Sequence, residues 1–543
     1  MSKLKKFLNV AVGGILAANL ISMLPIGAQE ASQYGLGDNE MSESQVMEFS
    51  NQFSSEEPNY NDEFTNTSQL PSSVDLSTSA YFPDIGDQGS IGSCTAWATT
   101  YYQFTYEANK LNNIITTNGN TYSPSWTYNF TNCGVDKGSY IDNAYNVLKR
   151  QGALTLSEMP YNKNAYSFAW STDTEAMTDA LKTRVSVVDR ITIPSTGTCI
   201  TSNNDSDLIA AKALLNAGKV FVVRGYVDNY FSWSTKESYN RPDELVVYRA
   251  SYTNSSHAMT VVGYDDNVFC DVNGNGVIED CEKGAFKVAN SWGTDWGNDG
   301  YIWVLYDALN AVSANKVNNW ESNKSGERVS IFHRDDIDGN VFFYVNVQNY
   351  EIGMVGLLTI NTTNKNKLSA MATRGDSEVN CLHDNITYFY NDNIRYYLNT
   401  AEAVPFNGTL VLDYTDLLTP INLCSYGFYY GVKINNHSST SKDVFTNISY
   451  KIVDNLSNTI CDLNVPSTLS SGGYKIECQK MQFQKGDVNY DGVITTDDIE
   501  YLTQYILQVN KLSNVQYYLA DCNNDGHVDV TDIIVLRKDN NLY

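Results

Sequence analysis

The sequence predicts a multidomain protein: an α+β domain, an all-β sandwich and a small α-helical calcium-binding module, in that order. Three observations carry this reading. The chain has 543 residues, enough for three to four domains of roughly 100–200 residues each. From residue 70 to about 309, helix-period and strand-period apolar segments mix. From 327 to 480, short runs rich in Tyr, Val, Ile and Phe alternate with Asn/Gly/Asp/Ser turns, as in a sandwich. Near the C-terminus an acidic pattern returns after 34 residues, the mark of a repeated unit. Composition adds exclusions. A formal net charge of -26 argues against a nucleic-acid partner, because phosphates would be repelled. With 42% hydrophobic and 12% aromatic residues, the chain as a whole is not intrinsically disordered.

Taken in order, residues 1–28 read as a secretory signal peptide. Lys3, Lys5 and Lys6 precede an apolar stretch from Phe7 to Leu24, and Ile26, Gly27 and Ala28 end it with small residues. A membrane anchor is the alternative, opposed by Ser22 and Pro25 within the run. No later stretch approaches the ~18 apolar residues of a spanning helix, so the expectation is an exported chain without an anchor. Residues 29–69 carry nine acidic residues and no Lys or Arg, and read as a disordered or weakly helical pro or linker segment. Ten cysteines in an exported chain suggest disulfides; Cys270 with Cys281, and Cys461 with Cys478, are close enough in sequence to close small loops.

The α+β segment, 70–312, holds the chemistry. Cys94 follows the glycine-rich stretch 84–93 and opens an expected helix to about Leu111. A helix N-terminus favours an anion by roughly 0.3–1 kcal/mol, hence thiolate over thiol. Alone, such a cysteine is more often an inert buried residue. His257, the only histidine before residue 333, lies in an apolar strand-like run, and a lone strand histidine is usually structural. Asn290 follows 33 residues later, in a run through Tyr301 whose Gly and Trp placement has no simple core periodicity. Together these blocks resemble the papain family of cysteine peptidases. Gln88, Cys94, His257 and Asn290 fall on the family's four functional positions in the family's order. The resemblance spans about 70–309 and includes Tyr122-Ser123-Pro124 and the segment 138–161.

That resemblance implies a helical half, a β-barrel half and a protein or peptide substrate. It implies that Cys94 attacks a peptide carbonyl, His257 carries the proton and Asn290 orients the imidazole, with no cofactor needed. Gln88 and the Cys94 backbone N–H would stabilise the oxyanion. Trp292, by analogy, screens the Asn–His hydrogen bond from water, or else simply packs. Two departures stand out. Thr95 occupies a position usually aromatic, and His257 and Asn290 lie 163 and 196 residues beyond Cys94, against the family's ~130–150.

Between the His and Asn strands, residues 271–282 match a twelve-residue calcium loop. Asp271, Asn273, Asn275, the backbone of Val277, Glu279 and Glu282 supply oxygens, and Gly276 makes the sharp turn. One ion is the reading; an acidic hairpin tip is the alternative. In residues 485–543 the pattern occurs twice, as Asp487, Asn489, Asp491, Val493 and Asp498, then Asp521, Asn523, Asp525, His527 and Asp532. Each ends in Asp and is followed by one helix. This arrangement resembles a dockerin, the calcium-folded module that binds cohesin domains of cellulosome scaffolds, and implies two calcium ions. Ten acidic against four basic residues there would make folding depend on those ions. Cys522 sits at a non-ligand position and reads as a free thiol.

Residues 327–480 carry no catalytic or metal signature. The strands are expected at Val341–Val347, Val355–Ile360, Thr409–Tyr414, Gly427–Ile434 and Ile448–Val453, after a polar linker at 315–326. His333, His383 and His437 read as surface or packing residues. A sandwich after such a domain resembles lectin-like modules; the Tyr content leaves a carbohydrate or protein ligand open, with strand propensity the simpler account. Two functions fit the whole: a secreted cysteine endopeptidase tethered to a scaffold, or a catalytically silent binding subunit on the same scaffold. The complete Gln/Cys/His/Asn set favours the first.

Overall fold

A computed structural model describes residues 38, 70–132, 134–164, 168–195, 199–226, 233–238, 240–250, 256–310, 330–334, 337–375, 384–388, 402–417, 428–481 and 483–542. The signal-peptide segment, the linker at 315–326, His383 and all of 29–69 except Asp38 lie outside them.

The helical half begins with α1, which opens at Cys94–Ala96, widens into a π-helical stretch at Trp97–Phe104 and ends with Thr105–Leu111. Helix α2 (Pro124–Thr131) starts where Ser123 caps it and Pro124 fills its first turn, a position whose N–H has no helical partner anyway. Helix α3 is Ile141–Gln151, α4 is Thr174–Ala180 and α5 is Ser206–Asn216. The sheet half contains β1 (Ser73–Asp75), β2 (Thr183–Ile193), β3 (Phe221–Tyr226), β4 (Trp233–Glu237), β5 (Leu245–Ala250), β6 (Ser256–Phe269), β7 (Lys283–Ala289) and β8 (Tyr301–Leu305). The first ten residues of β6 are all buried, the signature of a central strand covered on both faces.

The next two strands, β9 (His333–Arg334) and β10 (Ile337–Asn349), belong to the same sheet, whose order is β2-β10-β3-β6-β7-β8-β5-β4. This corrects one expectation: Val341–Val347 is not a strand of the sandwich. Asn340 through Asn349 instead run antiparallel to the whole of β2, and Phe343 also pairs with Val222 of β3. The physical reason is that Val341, Phe343 and Val345 bury one face of β10 while Phe342 and Tyr344 bury the other, which requires cover on both sides.

The sandwich proper has two antiparallel sheets. One orders β14 (Phe406–Asp413), β11 (Met354–Thr362), β16 (Phe445–Asp454) and β17 (Thr459–Leu463), with β18 (Thr468–Leu469) also on β16. The other orders β13 (Asp384–Tyr388), β12 (Leu368–Gly375), β15 (Phe428–Asn436) and β19 (Tyr474–Met481). Leu358, Ile360, Leu410 and Ile452 from the first and Ala370, Ala372, Val432 and Ile434 from the second share one core. That core continues into the helical half without a break.

Two buried cations lock the join. Arg184 of β2 pairs with Asp413 of β14 at 3.0 Å, both buried, and stacks on the Tyr350 ring. Lys365, fully buried, donates to the Asn129 carbonyl at 2.9 Å and lies over the Trp170 ring. The C-terminal module comprises α6 (Thr496–Ile506), α7 (Asn514–Ala520) and α8 (Val530–Asp539). Helix α7 is an addition to the one-helix-per-repeat reading. Val515 and Leu519 of α7 join the sandwich core, and the Tyr490 hydroxyl donates to Asp454 of β16 at 3.1 Å.

The cysteine pairing also differs from expectation. Cys281 bonds Cys199, closing a separation of 82 residues, not Cys270. Cys461 and Cys478 form no disulfide: Cys461 keeps its thiol, which donates to Gln479 Oε1 at 2.9 Å, and burial pushes its pKa up to about 11. Cys270 lies just past β6 and Cys281 in the turn Asp280–Glu282, which the bridge ties to Cys199 ahead of α5, while Cys461 and Cys478 lie on β17 and β19, in different sheets.

Candidate active site

Cys94 is the first residue of α1, and the backbone of α1 packs directly on β6: Thr260 Oγ1 donates to the Ala98 carbonyl at 3.3 Å. Cys94 shares its apolar cluster with Ala258, the neighbour of His257. Ser93, at the N-cap, does not cap the helix; its hydroxyl is held by the Tyr161 hydroxyl at 2.7 Å.

His257, paired with Gly225 of β3, lies one strand from Asn290, just past the end of β7. Their contact is His257 Nε2 to Asn290 Oδ1 at 2.7 Å. An amide oxygen only accepts, so Nε2 carries the hydrogen and donates, and the lone pair of the neutral ring resides on Nδ1. The Ser291 N–H also donates to Oδ1, at 2.7 Å, which fixes the amide's orientation. His257 Nδ1 is buried and has no hydrogen-bond partner among the described residues. Burial holds the imidazole pKa down at about 4, against a smaller upward pull from Asn290. Trp292 lies over the pair, its ring centroid 4.5 Å from that of His257.

Gln88 reaches this centre because the loop 86–88 runs along 291–293. Gly293 N donates to the Gly86 carbonyl at 2.9 Å, and Gln88 N to the Ser291 carbonyl at 2.8 Å. The Gln88 side chain accepts from Ser291 Oγ at 2.5 Å and donates to the Ile91 carbonyl at 2.8 Å. All four sequence-assigned residues therefore converge at the meeting of α1, β6 and the 290–293 turn. Cys94, His257 and Gln88 are each fully buried.

Three further residues at this centre, Asp38, Arg224 and Ser256, escaped the sequence reading, and a fourth, Thr95, entered it only as a departure from the family pattern. Asp38, the one described residue of 29–69, is buried against it. Its carboxylate pairs with Arg224 Nε at 2.8 Å and accepts from Thr95 Oγ1 at 3.2 Å, and its carbonyl accepts from Ser256 Oγ at 2.7 Å. Thr95 and Ser256 flank Cys94 and His257 by one residue each. The hydroxyl of Thr95 thus gives a use to the departure noted at that position.

The three calcium-like loops share one hydrogen-bonding scheme. In 271–282, Glu282 Oε1 accepts from Val272 N at 2.6 Å, and Glu282 Oε2 from Glu279 N at 3.0 Å. In 487–498, Asp498 Oδ1 and Oδ2 accept from Val488 N at 2.8 Å and Thr495 N at 2.9 Å. In 521–532, Asp532 accepts from Asn523 N at 3.2 Å and Asp529 N at 2.9 Å. At the sixth position Gly276, Gly492 and Gly526 all take positive φ, from 80° to 85°. The loop 487–498 has an orphaned acceptor that suits a cation: Asp487 Oδ1 is buried without a partner among the described residues, and burial, then Asp498 and Asp491, raises the Asp487 pKa. In the inserted loop, burial followed by Glu279 raises Glu282 to about 7. Cys522 keeps a thiol that donates to the Leu519 carbonyl, and burial pushes its pKa up to about 12. His437, exposed, pairs with Ser369 Oγ at 2.8 Å, a packing contact. No helix among the described residues is long and apolar enough to cross a membrane.

Comparison with known proteins identifies two regions of the chain. The model of the papain family cysteine protease matches residues 70–318, and that of the dockerin type I domain matches 485–539. Cysteine proteinase EP-B 1 of Hordeum vulgare is 26% identical over 243 residues, 45% of this chain and 56% of that protein. Cathepsin L1 of Drosophila melanogaster is 25% identical over 243 residues, 44% of this chain and 55% of that protein. The chain thus spans about half the length of these relatives. Xylellain, a cysteine protease from Xylella fastidiosa, aligns with 58% of this chain and 96% of its own at 21% identity, with a TM-score of 0.35. Residues 70–318 are a papain-family cysteine protease domain, and residues 485–539 are a type I dockerin domain.

Proposed function

We propose that the chain is a secreted cysteine endopeptidase, with Cys94, His257 and Asn290 as its triad, held on a cohesin-bearing scaffold by its dockerin. The observation that carries this reading is the His257 Nε2–H to Asn290 Oδ1 bond, which leaves the Nδ1 lone pair for the thiol at the start of α1. In the first step Nδ1 takes the Cys94 proton and sulfur bonds to the peptide carbonyl carbon. The Gln88 amide and the Cys94 N–H supply the oxyanion's hydrogen bonds, each worth ~2.7–4 kcal/mol in such sites. The imidazolium then passes its proton to the departing amine as the C–N bond breaks, and water releases the acyl group from sulfur. Trp292 keeps water from the His–Asn bond.

Because Cys94, His257 and Gln88 are buried, this conformation is latent, and the Asp38 contacts are among those that opening must break. The same burial favours the second reading, a catalytically silent binding subunit. One experiment decides between them: labelling with a thiol-directed epoxide, combined with hydrolysis of a mixed peptide library. An active peptidase is labelled at Cys94 and loses hydrolysis in Cys94→Ala. Unchanged hydrolysis in that variant would falsify the triad assignment. For the tether, two calcium ions in 487–498 and 521–532, and a third in 271–282, follow from the shared loop scheme. Binding to cohesin should vanish with a chelator and return with calcium; calcium-independent binding would count against the assignment.

A further inference from the structure

We propose that Tyr161 is a positioning residue for the oxyanion site: through one hydroxyl it sets the spacing between the Gln88 amide and the Cys94 backbone N–H. The inference rests on the peptidase reading. Those two donors stand on either side of the glycine-bearing stretch 89–92, a backbone too permissive to hold a separation by itself. The Tyr161 hydroxyl meets both flanks of that stretch. It lies 2.9 Å from the Gln88 carbonyl and 2.7 Å from Ser93 Oγ. A carbonyl oxygen only accepts, so the tyrosine gives its single hydrogen to Gln88 and takes the hydrogen of Ser93. Burial pushes the Tyr161 pKa up to about 12, so the hydroxyl keeps that hydrogen at any pH near neutrality.

The seat of the tyrosine is built from the same elements. Its ring stands edge-on to Trp97 of α1, with centroids 5.0 Å apart. Trp97 in turn supports the other end of the loop: a Cβ at Gly86 would meet its ring at 2.0 Å, so that position has no room for a side chain. Lys163 Nζ pairs with the Asp87 carboxylate, and a Cβ at Gly89 would come within 2.7 Å of the Lys163 carbonyl. Residues 161–163 therefore grip residues 87–89 from one side. Ser291 holds Gln88 from the other: its carbonyl accepts from Gln88 N at 2.8 Å, and its hydroxyl donates to the Gln88 side chain at 2.5 Å. Ser291 ties Gln88 to the sheet half, whereas Tyr161 ties it to Ser93, whose peptide link to Cys94 carries the second donor. A serine at a helix start ordinarily caps the helix with its hydroxyl. Ser93 does not, and its hydroxyl goes to Tyr161 instead.

The test is Tyr161→Phe in the full-length, calcium-loaded chain, which deletes the hydroxyl and keeps the ring against Trp97. Loss of a whole oxyanion donor costs ~10²–10³ in kcat, so loosening both without removing either should cost about ten- to a hundredfold. That loss is expected in kcat with KM nearly unchanged, the mark of contacts made in the transition state. A peptide aldehyde of matching sequence, whose adduct with Cys94 puts an oxygen at the oxyanion position, should bind more weakly by the same factor. Alkylation of Cys94 by iodoacetamide, which displaces iodide and forms no oxyanion, should keep its rate and its pH profile. Ser93→Ala should show part of the loss, and the double variant should be no worse than Tyr161→Phe, because one hydroxyl makes both bonds. An unchanged kcat in Tyr161→Phe, or a fall in kcat with aldehyde affinity retained, overturns the proposal and leaves the peptidase standing. So does an alkylation rate that falls as far as kcat, which would put the defect at the thiol. Should Tyr161→Phe not fold, Ser93→Ala decides by the same three measurements. No hydrolysis by the unaltered chain, with no labelling of Cys94, overturns both readings.

Discussion

The neutral imidazole of His257 has a consequence for stability. Its pKa falls from the ordinary 6.5 to about 4 on folding, because burial disfavours the charged ring. Between pH 4 and 6.5 the unfolded chain therefore binds the proton more readily than the folded one. The contribution is complete above pH 6.5 and is lost as pH falls toward 4, by about 3 kcal/mol. Denaturant titrations at pH 7.5 and 4, run in parallel on the Cys94→Ala chain and on its His257→Gln derivative, should show a larger acid loss in the former by that amount. Equal losses would contradict the neutral, buried ring. At this scale the sequence spoke through residue type and order: Gln88, Cys94, His257 and Asn290 stand out by type and spacing, and the fold brings them to one centre. Arg224 was silent, because a lone Arg in an apolar strand reads as an outward-facing side chain. Asp38 was silent too, since one acid among nine in a polar stretch announces no partner.

The elements were legible where period and punctuation agree. Helix α1 starts at Cys94 and ends at Leu111 as expected, and strands β11, β14, β15 and β16 coincide with the Tyr- and Val-rich runs. Pairing was not legible. The disulfide Cys199–Cys281 ties the inserted loop to the start of α5, and sequence proximity pointed to the wrong partner. A bridge closing some 82 residues limits the unfolded chain enough to contribute about 4 kcal/mol. Cys199→Ser should lower unfolding stability by roughly that much and weaken calcium retention at 271–282, read by calorimetric titration. The β2–β14 join makes a second prediction. Asp413→Leu takes the carboxylate away from the buried Arg184 guanidinium and should cost about 3–5 kcal/mol, whereas Arg184→Met with Asp413→Leu should recover most of it. If the double variant were as unstable as the single one, the ion pair would not be the source.

At the level of the whole molecule, the three predicted parts are present, but they are mechanically joined. Tyr490 sits between the third and fifth positions of the first dockerin loop and reaches Asp454 of the sandwich; Asn514 N donates to Asn455 Oδ1 at 2.9 Å beside it. Emptying that loop should therefore loosen β16. Chelation is expected to speed hydrogen exchange at 450–458 in the intact chain, and Tyr490→Phe to blunt the effect; exchange there indifferent to calcium would show the contact to be incidental. Such couplings are invisible in a linear text, because they depend on which surfaces meet after each part has folded. The stretch Asn340–Asn349 teaches the same lesson with a practical edge. Recombinant fragments trimmed at 318, where the papain-family match ends, would omit the strand that lies between β2 and β3 in the peptidase sheet. Thr183–Ile193 would lose its ladder, and an open edge of that length invites other chains to add to it. A soluble, autonomous protease fragment should have to reach past residue 349, and insolubility of shorter pieces would reflect their missing strand and no defect in their catalytic residues.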